Sequence, residues 1–225
     1  THPMLLRYQL PRRVFPLLPV LFPFFINLLN SVQIFCIILL IQVFLQVFFG
    51  NFLIMAILNI LQYPDSRLRI KAKPIELFDK PLKETIADMF ETMYASKGIG
   101  LAATQVNIHK RLIVLDVSPE RDRQLVLLNP TVLKTSEEKK LHDEGCLSVP
   151  GFYESVERPD KILVEYFNSD GSKHQLEAGG LLSVCIQHEM DHLNGKVFVD
   201  YLSRLKQHRI QKKLIKEKAK LSVIN

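Results

Sequence analysis

The sequence predicts an α+β fold: antiparallel strands packed around a central helix that carries a His-Glu-x-x-His motif, with a further helix at the C-terminus. Two observations carry this expectation. Helical spacing of apolar residues appears at Leu82–Met93 and again after Gly180, whereas the stretch between holds short apolar runs bounded by turn residues. Strands and helices do not alternate, so a parallel sheet with crossover helices is not expected. There is no internal repeat.

Taken in order, Pro81 opens a pattern in which Leu82, Ile86, Met89, Phe90 and Met93 recur three or four apart, and Gly98 is expected to stop the helix. Leu112–Leu115 and Leu125–Leu128 read as strands. Ile162–Phe167 is another; Asn168-Ser169-Asp170-Gly171 then turns the chain, and His174–Glu177 returns as a hairpin partner. Gly179-Gly180 punctuates the chain before Leu181–Leu193, which has helical length and spacing. Tyr201–Lys220 follows as the last helix.

Charge divides the chain into three parts. Residues 1–54 hold three arginines and no acid, residues 55–200 hold slightly more acids than bases, and residues 201–225 hold eight bases and one acid. The net charge of +6 therefore sits at the two ends, and a protein basic over its whole surface is excluded. Residues 1–54 form an apolar extension. One reading makes residues 14–54 a membrane anchor, since about 20 apolar residues span a bilayer and the arginines would stay on the cytoplasmic side. The preferred reading is an upstream-start artefact with Met55 as the true start, followed by a catalytic domain over 55–200 and a basic C-terminal helix over 201–225. Three cysteines, Cys36, Cys146 and Cys185, are too few for a disulfide framework and suit a reducing compartment, so a cytoplasmic protein is expected.

The chemistry concentrates in Gln187-His188-Glu189-Met190-Asp191-His192. On a helix, His188 and His192 project from one face a turn apart, and Glu189 stands beside the first. Two such histidines bind a metal and the glutamate serves as general base. Alone the pattern is also compatible with a charged helix face bearing incidental histidines. The third ligand separates the possibilities. One protease class continues with Gly-x-x-His; here Gly195 fits but position 198 is Phe. Asp200 and Glu217 are poor substitutes.

Cys146, in Glu144-Gly145-Cys146-Leu147-Ser148-Val149-Pro150, offers a thiolate upstream, with Pro150 expected to end any strand there. A lone cysteine is more often a small core residue. Beside two histidines it completes a three-ligand set that leaves a fourth position open, as a catalytic metal requires. Gly98-Ile99-Gly100-Leu101-Ala102-Ala103 fits a dinucleotide fingerprint in letters only. It follows a helix instead of a strand, so no nucleotide cofactor is expected. Its glycines instead suit close backbone approach to a substrate.

Three blocks in register, Gly98–Gln105, Glu144–Ser148 and Gln187–His192, resemble bacterial peptide deformylases, and the resemblance covers essentially residues 55–200. It implies a hydrolase that removes formyl from the N-terminal formyl-methionine of new polypeptides, releasing formate. It further implies Cys146, His188 and His192 as ligands of one divalent metal, commonly Fe2+, although Zn2+ or Ni2+ suits the same set. Glu189 becomes the acid/base, and the Gln105 side chain and Leu147 N–H become donors to the developing oxyanion. Ile99, Gly100, Leu181, Val184 and Cys185 are then candidates for the substrate pocket. Cys185 as a fourth ligand would close the open position, so it is assigned to packing.

The cationic last helix suggests docking to ribosomal RNA, with Leu205, Ile210, Leu214 and Leu221 packing inward. Two rival functions stand beside this one. A metalloendopeptidase would need another third ligand, and a non-enzymatic membrane- or RNA-binding protein leaves the Cys-His-Glu-His set unexplained.

Overall fold

The computed structural model describes residues 56–224. The expectations placed on residues 1–55, the anchor and the start at Met55, lie outside them. The first helix, α1 (Lys80–Ala95), starts where Asp79 accepts a hydrogen bond from Leu82 N at 3.0 Å, relieving one of the unpaired N–H groups of the first turn. Its stripe of Leu82, Ile86, Met89, Phe90 and Met93 is buried, as the spacing predicts. The stop differs from expectation. Lys97, not Gly98, takes the left-handed conformation (φ 60°), and Gly98 N then bonds Met93 O at 2.9 Å.

Five antiparallel strands form the main sheet: β1 (Gly100–Ala102), β2 (Leu112–Leu115), β3 (Leu125–Thr135), β6 (Lys161–Phe167) and β7 (Lys173–Gly179), in the order β1-β2-β3-β6-β7. Helix α2 (Gly180–Leu193) follows β7 directly. The continuous apolar run of β2 has a physical reason. Leu112 and Val114 join the cluster formed with α1, whereas Ile113 and Leu115 join that of Ile186 and Leu193 on α2. Successive side chains point to opposite faces, and both faces are covered by a helix, so no polar residue is tolerated.

A second, two-stranded sheet pairs β4 (Lys139–Cys146) with β5 (Val149–Pro159). Pro150 does not end a strand; it is the second, exposed residue of β5, near the strand end where a missing N–H is tolerated. Val149 and Val156 of β5 pack with Val197, Phe198 and Val199 and with Ile210 and Leu214 of the last helix, α3 (Arg204–Ile224). This helix starts later than expected. Tyr201 belongs to a short 3-10 turn, Phe198–Tyr201, and Leu205 is 82% exposed where inward packing was expected. Among the described residues no helix is long and apolar enough to cross a membrane.

Candidate metal centre

The helix α2 carries His188 and His192 on its inward face, both buried, and Cys146 comes from the end of β4 beside the two-residue turn Leu147–Ser148. The donor atoms of Cys146, His188 and His192 lie within 4.8 Å of one another, with Cys146 Sγ 3.2 Å from His192 Nε2. Expectation and structure agree on this convergence from two distant elements.

The orientation of His188 is fixed from behind. Its Nδ1 lies 2.8 Å from Glu144 Oε2, and Glu144 is gripped by Arg158 through Nε–Oε1 (2.6 Å) and Nη2–Oε2 (3.0 Å). Burial alone would raise the Glu144 pKa. The bonds from His188 and Arg158 and the guanidinium charge outweigh it, and the carboxyl falls from 4.5 to about 2. An ionised Glu144 only accepts, so Nδ1 of His188 donates. Burial would lower the His188 pKa, but its bonds to Cys146 and Glu144 outweigh it and raise it well above the ordinary value, so a metal at Nε2 would take the place of a proton.

His192 is desolvated, which lowers its pKa well below the ordinary value and keeps it neutral, as a ligand must be. One thiolate and two imidazoles with preset orientation suit a borderline or soft divalent ion, so the residues present fit a metal.

Glu189 sits beside this set, 4% exposed, and its Oε2 has no hydrogen-bond partner among the described residues. Desolvation is the main cause that pushes it from 4.5 up to about 7, the His188 charge and the Ala102 backbone N–H opposing. Gln105, in the 3-10 turn Ala103–Val106, is buried with its amide orientation set. Its Oε1 accepts from Ala102 N (2.8 Å), and its Nε2 donates to Ser148 Oγ (3.2 Å) and lies 3.6 Å from Cys146 Sγ.

A cleft of about 800 Å3 opens onto the set, lined among others by Ile99, Leu147, Leu181, Val184, Cys185 and Glu189. Ile99 and Leu181 are exposed at 41% and 55%, while Val184 and Cys185 are buried. Desolvation raises the Cys185 thiol well above its usual pKa, and its Sγ points to Ile99 O at 3.7 Å, in keeping with packing. The cluster of possible ligands comprises Cys146, His188 and His192 and leaves Cys185 out.

Gly100 explains itself here. A Cβ on it would stand 2.6 Å from Glu189 Oε1 and 2.7 Å from Cys185 Sγ. The residues that sequence reasoning missed are Arg158 and the role of Glu144. The available signal was the spacing of two between Glu144 and Cys146, which puts both on one strand face.

Two buried histidines and a half-buried cysteine that could hold a metal, a carboxylate beside them and a cleft leading to both define a metallohydrolase. A family model for polypeptide deformylase matches residues 57–208. The chain is 58% identical over 163 residues to peptide deformylase 1 of Pseudomonas syringae pv. tomato, covering 72% of this chain and 97% of the relative. It is 56% identical to the peptide deformylase of Pseudomonas aeruginosa, over 72% and 97% of the two chains. The crystal structure of a Legionella pneumophila peptide deformylase superposes with a TM-score of 0.71 at 45% identity, covering 74% of this chain and 98% of that one. An Ehrlichia chaffeensis peptide deformylase in complex with actinonin superposes at 0.70 and 40% identity, over 72% and 98%. The chain belongs to the polypeptide deformylase family.

Proposed function

We propose that Cys146, His188 and His192 hold one divalent metal and that Glu189, Gln105 and the Leu147 backbone N–H carry out the family's reaction. The chain is a hydrolase that removes the formyl group from the N-terminal formyl-methionine of new polypeptides. The observation that carries the assignment is the convergence of the three donor atoms within 4.8 Å beside a buried, partnerless carboxylate oxygen.

When bound, the metal supplies Lewis-acid polarisation of the formyl carbonyl and makes water more acidic, lowering its pKa from ~15.7 to about 7 in favourable sites. Glu189 takes a proton from the attacking water and passes it to the leaving amine nitrogen, a transfer favoured by a pKa near the working pH. Gln105 donates through Nε2 to the oxygen that becomes negative; its Oε1 bond to Ala102 N keeps the amide from turning. Leu147 N–H is the second donor. The walls supplied by Ile99, Leu181, Val184 and Cys185 take the methionine side chain, and the backbone at Gly100 approaches the substrate.

Formate release from formyl-Met-Ala-Ser tests the reading. Glu189→Ala is expected to lower kcat by about 10³-fold with metal content kept, whereas Cys146→Ala is expected to lose metal. Unchanged turnover in either variant would remove the assignment.

We infer Fe2+ as the native ion from the family resemblance, Zn2+ or Ni2+ suiting the same ligands; Fe2+ beside a thiolate predicts loss of activity in air. Full activity of an aerobic, zinc-only preparation would count against iron. A cytoplasmic site of action and ribosome docking through α3 complete the proposal. All eight of its basic residues are exposed; Lys206 pairs with Glu154 at 2.6 Å, Lys213 lies over the Phe152 ring at 4.8 Å and Lys218 acts electrostatically on Asp65. Because Ile210 and Leu214 are core residues, removing the helix would unfold part of the domain. Replacing Arg209, Lys212 and Lys216 by Gln is the cleaner test. Ribosome binding should weaken and its salt dependence flatten by about three counterions, with peptide deformylation unchanged; undiminished binding would dispose of the docking.

A further inference from the structure

The segment that follows the motif, Gly195–Tyr201, takes no part in the chemistry above, yet it touches the metal centre by two routes. Phe198, standing where one protease class has its third histidine, lays its ring against His188, with centroids 6.2 Å apart and planes at 27°. Tyr201 O–H donates to Asp191 Oδ2 at 2.9 Å, and its ring lies 4.8 Å from Arg158 Cζ. The same Asp191 oxygen accepts from Arg158 Nη1 at 2.6 Å. Arg158 grips Glu144, and Glu144 holds His188 Nδ1. A continuous line of hydrogen bonds thus runs Tyr201–Asp191–Arg158–Glu144–His188.

The segment is itself pinned at both ends by Arg69. Arg69 donates from Nη1 to Gly195 O (3.2 Å) and from both Nη atoms to Asp200 (2.5 and 2.8 Å). Gly195 (φ 74°) admits no side chain, since a Cβ would collide with the Arg69 carbonyl.

We infer that Gly195–Tyr201 is a brace for the metal ligand His188, and that Tyr201 is the positioning residue at its end. Arg158 is 5% exposed, and the fork onto Glu144 leaves it one open nitrogen and two open faces. Asp191 takes the nitrogen and the Tyr201 ring covers a face, so the guanidinium has no room to pivot on Glu144. Its tilt fixes the carboxylate whose Oε2 is shared with His188. Tyr201 itself is half exposed, so its hydroxyl is held by the pinned segment and not by burial.

The inference rests on the metal-site reading and is separable from it. Wild type, Tyr201→Phe and Tyr201→Leu are loaded with Co2+; visible absorption, metal loss to excess EDTA and unfolding of the metal-free forms are measured. Outer residues that orient a ligand typically change metal affinity ten- to hundredfold; two steps further out, about threefold faster loss is expected for Phe and about tenfold for Leu. The Co2+ bands should shift in the same order, with metal-free unfolding unchanged. Wild-type bands and loss rates in both variants would overturn the brace alone. So would a fall in metal-free stability that tracks the metal loss. A wild type that binds no Co2+ would overturn the metal site and the brace together.

Discussion

At Gly100 one missing methyl group decides whether the acid/base and the substrate backbone can share a space. Its neighbours are the Glu189 carboxylate and the buried Cys185 thiol, and of the two the carboxylate is the far end of the longer, more flexible side chain. Gly100→Ala is therefore expected to displace Glu189 while the buried β1–β2 pairing holds the backbone. A displacement of about an ångström at the reacting centre costs about 10²-fold, so kcat should fall by that order with metal content retained. Wild-type kcat in this variant would show that Cys185, and not Glu189, absorbs the methyl. At this scale the sequence was informative about ligands and silent about support. Cys146, His188 and His192 announce themselves because few other tasks need a thiol and two imidazoles. Arg158 is one arginine among many until folding brings it against Glu144.

The β4–β5 hairpin shows what limits a reading of elements. Periodicity finds α1, β2 and α2, because each buries a stripe or both faces. The hairpin carries its charges in adjacent pairs and follows no clean period, and its buried charged residues, Glu144 and Arg158, look like surface residues in the sequence. Their ion pair ties β4 to β5, and Asp191 extends the tie to α2. This makes the hairpin's stability depend on pH in a definite direction. Glu144 has its pKa depressed from 4.5 to about 2, so it binds fewer protons in the folded state than in the unfolded one over that window. The stabilisation is complete above about pH 4.5 and is lost as the pH falls through about 2, at most about 3 kcal/mol for a shift of this size. Urea unfolding of the metal-free protein should thus show wild type and Glu144→Gln converging as the pH is lowered from 5 to 2. A constant gap over that range would mean that the pair contributes through packing and not through charge.

On the scale of the whole molecule, the charge map marks off a basic end that the fold does not set apart. The basic end becomes α3, tied into the domain by Ile210 and Leu214, so it is a surface of the enzyme and not an appendage. Residues 1–54 are a different matter. We propose that residues 55–225 are sufficient for folding and activity. From Ala56 onward the chain is already anchored: Ala56 N to Asp88 Oδ1 and Leu58 N to Thr92 Oγ1, both at 2.8 Å, then Leu61 N to Gln105 O at 2.7 Å and Tyr63 N to Ser148 O at 2.8 Å. The last two of these bonds reach the turns that carry Gln105 and Leu147, so the order of this segment bears directly on the oxyanion donors. The apolar clusters draw on Leu58 to Leu214, and the family match begins at residue 57. Protein begun at Met55 should accordingly unfold at the same temperature as the full chain and release formate from formyl-Met-Ala-Ser with the same kcat/KM. A lower unfolding temperature would assign residues 1–54 a structural share in the domain. An unchanged temperature with reduced kcat/KM would assign them a share in the cleft, where Leu58 and Ile60 form part of the lining.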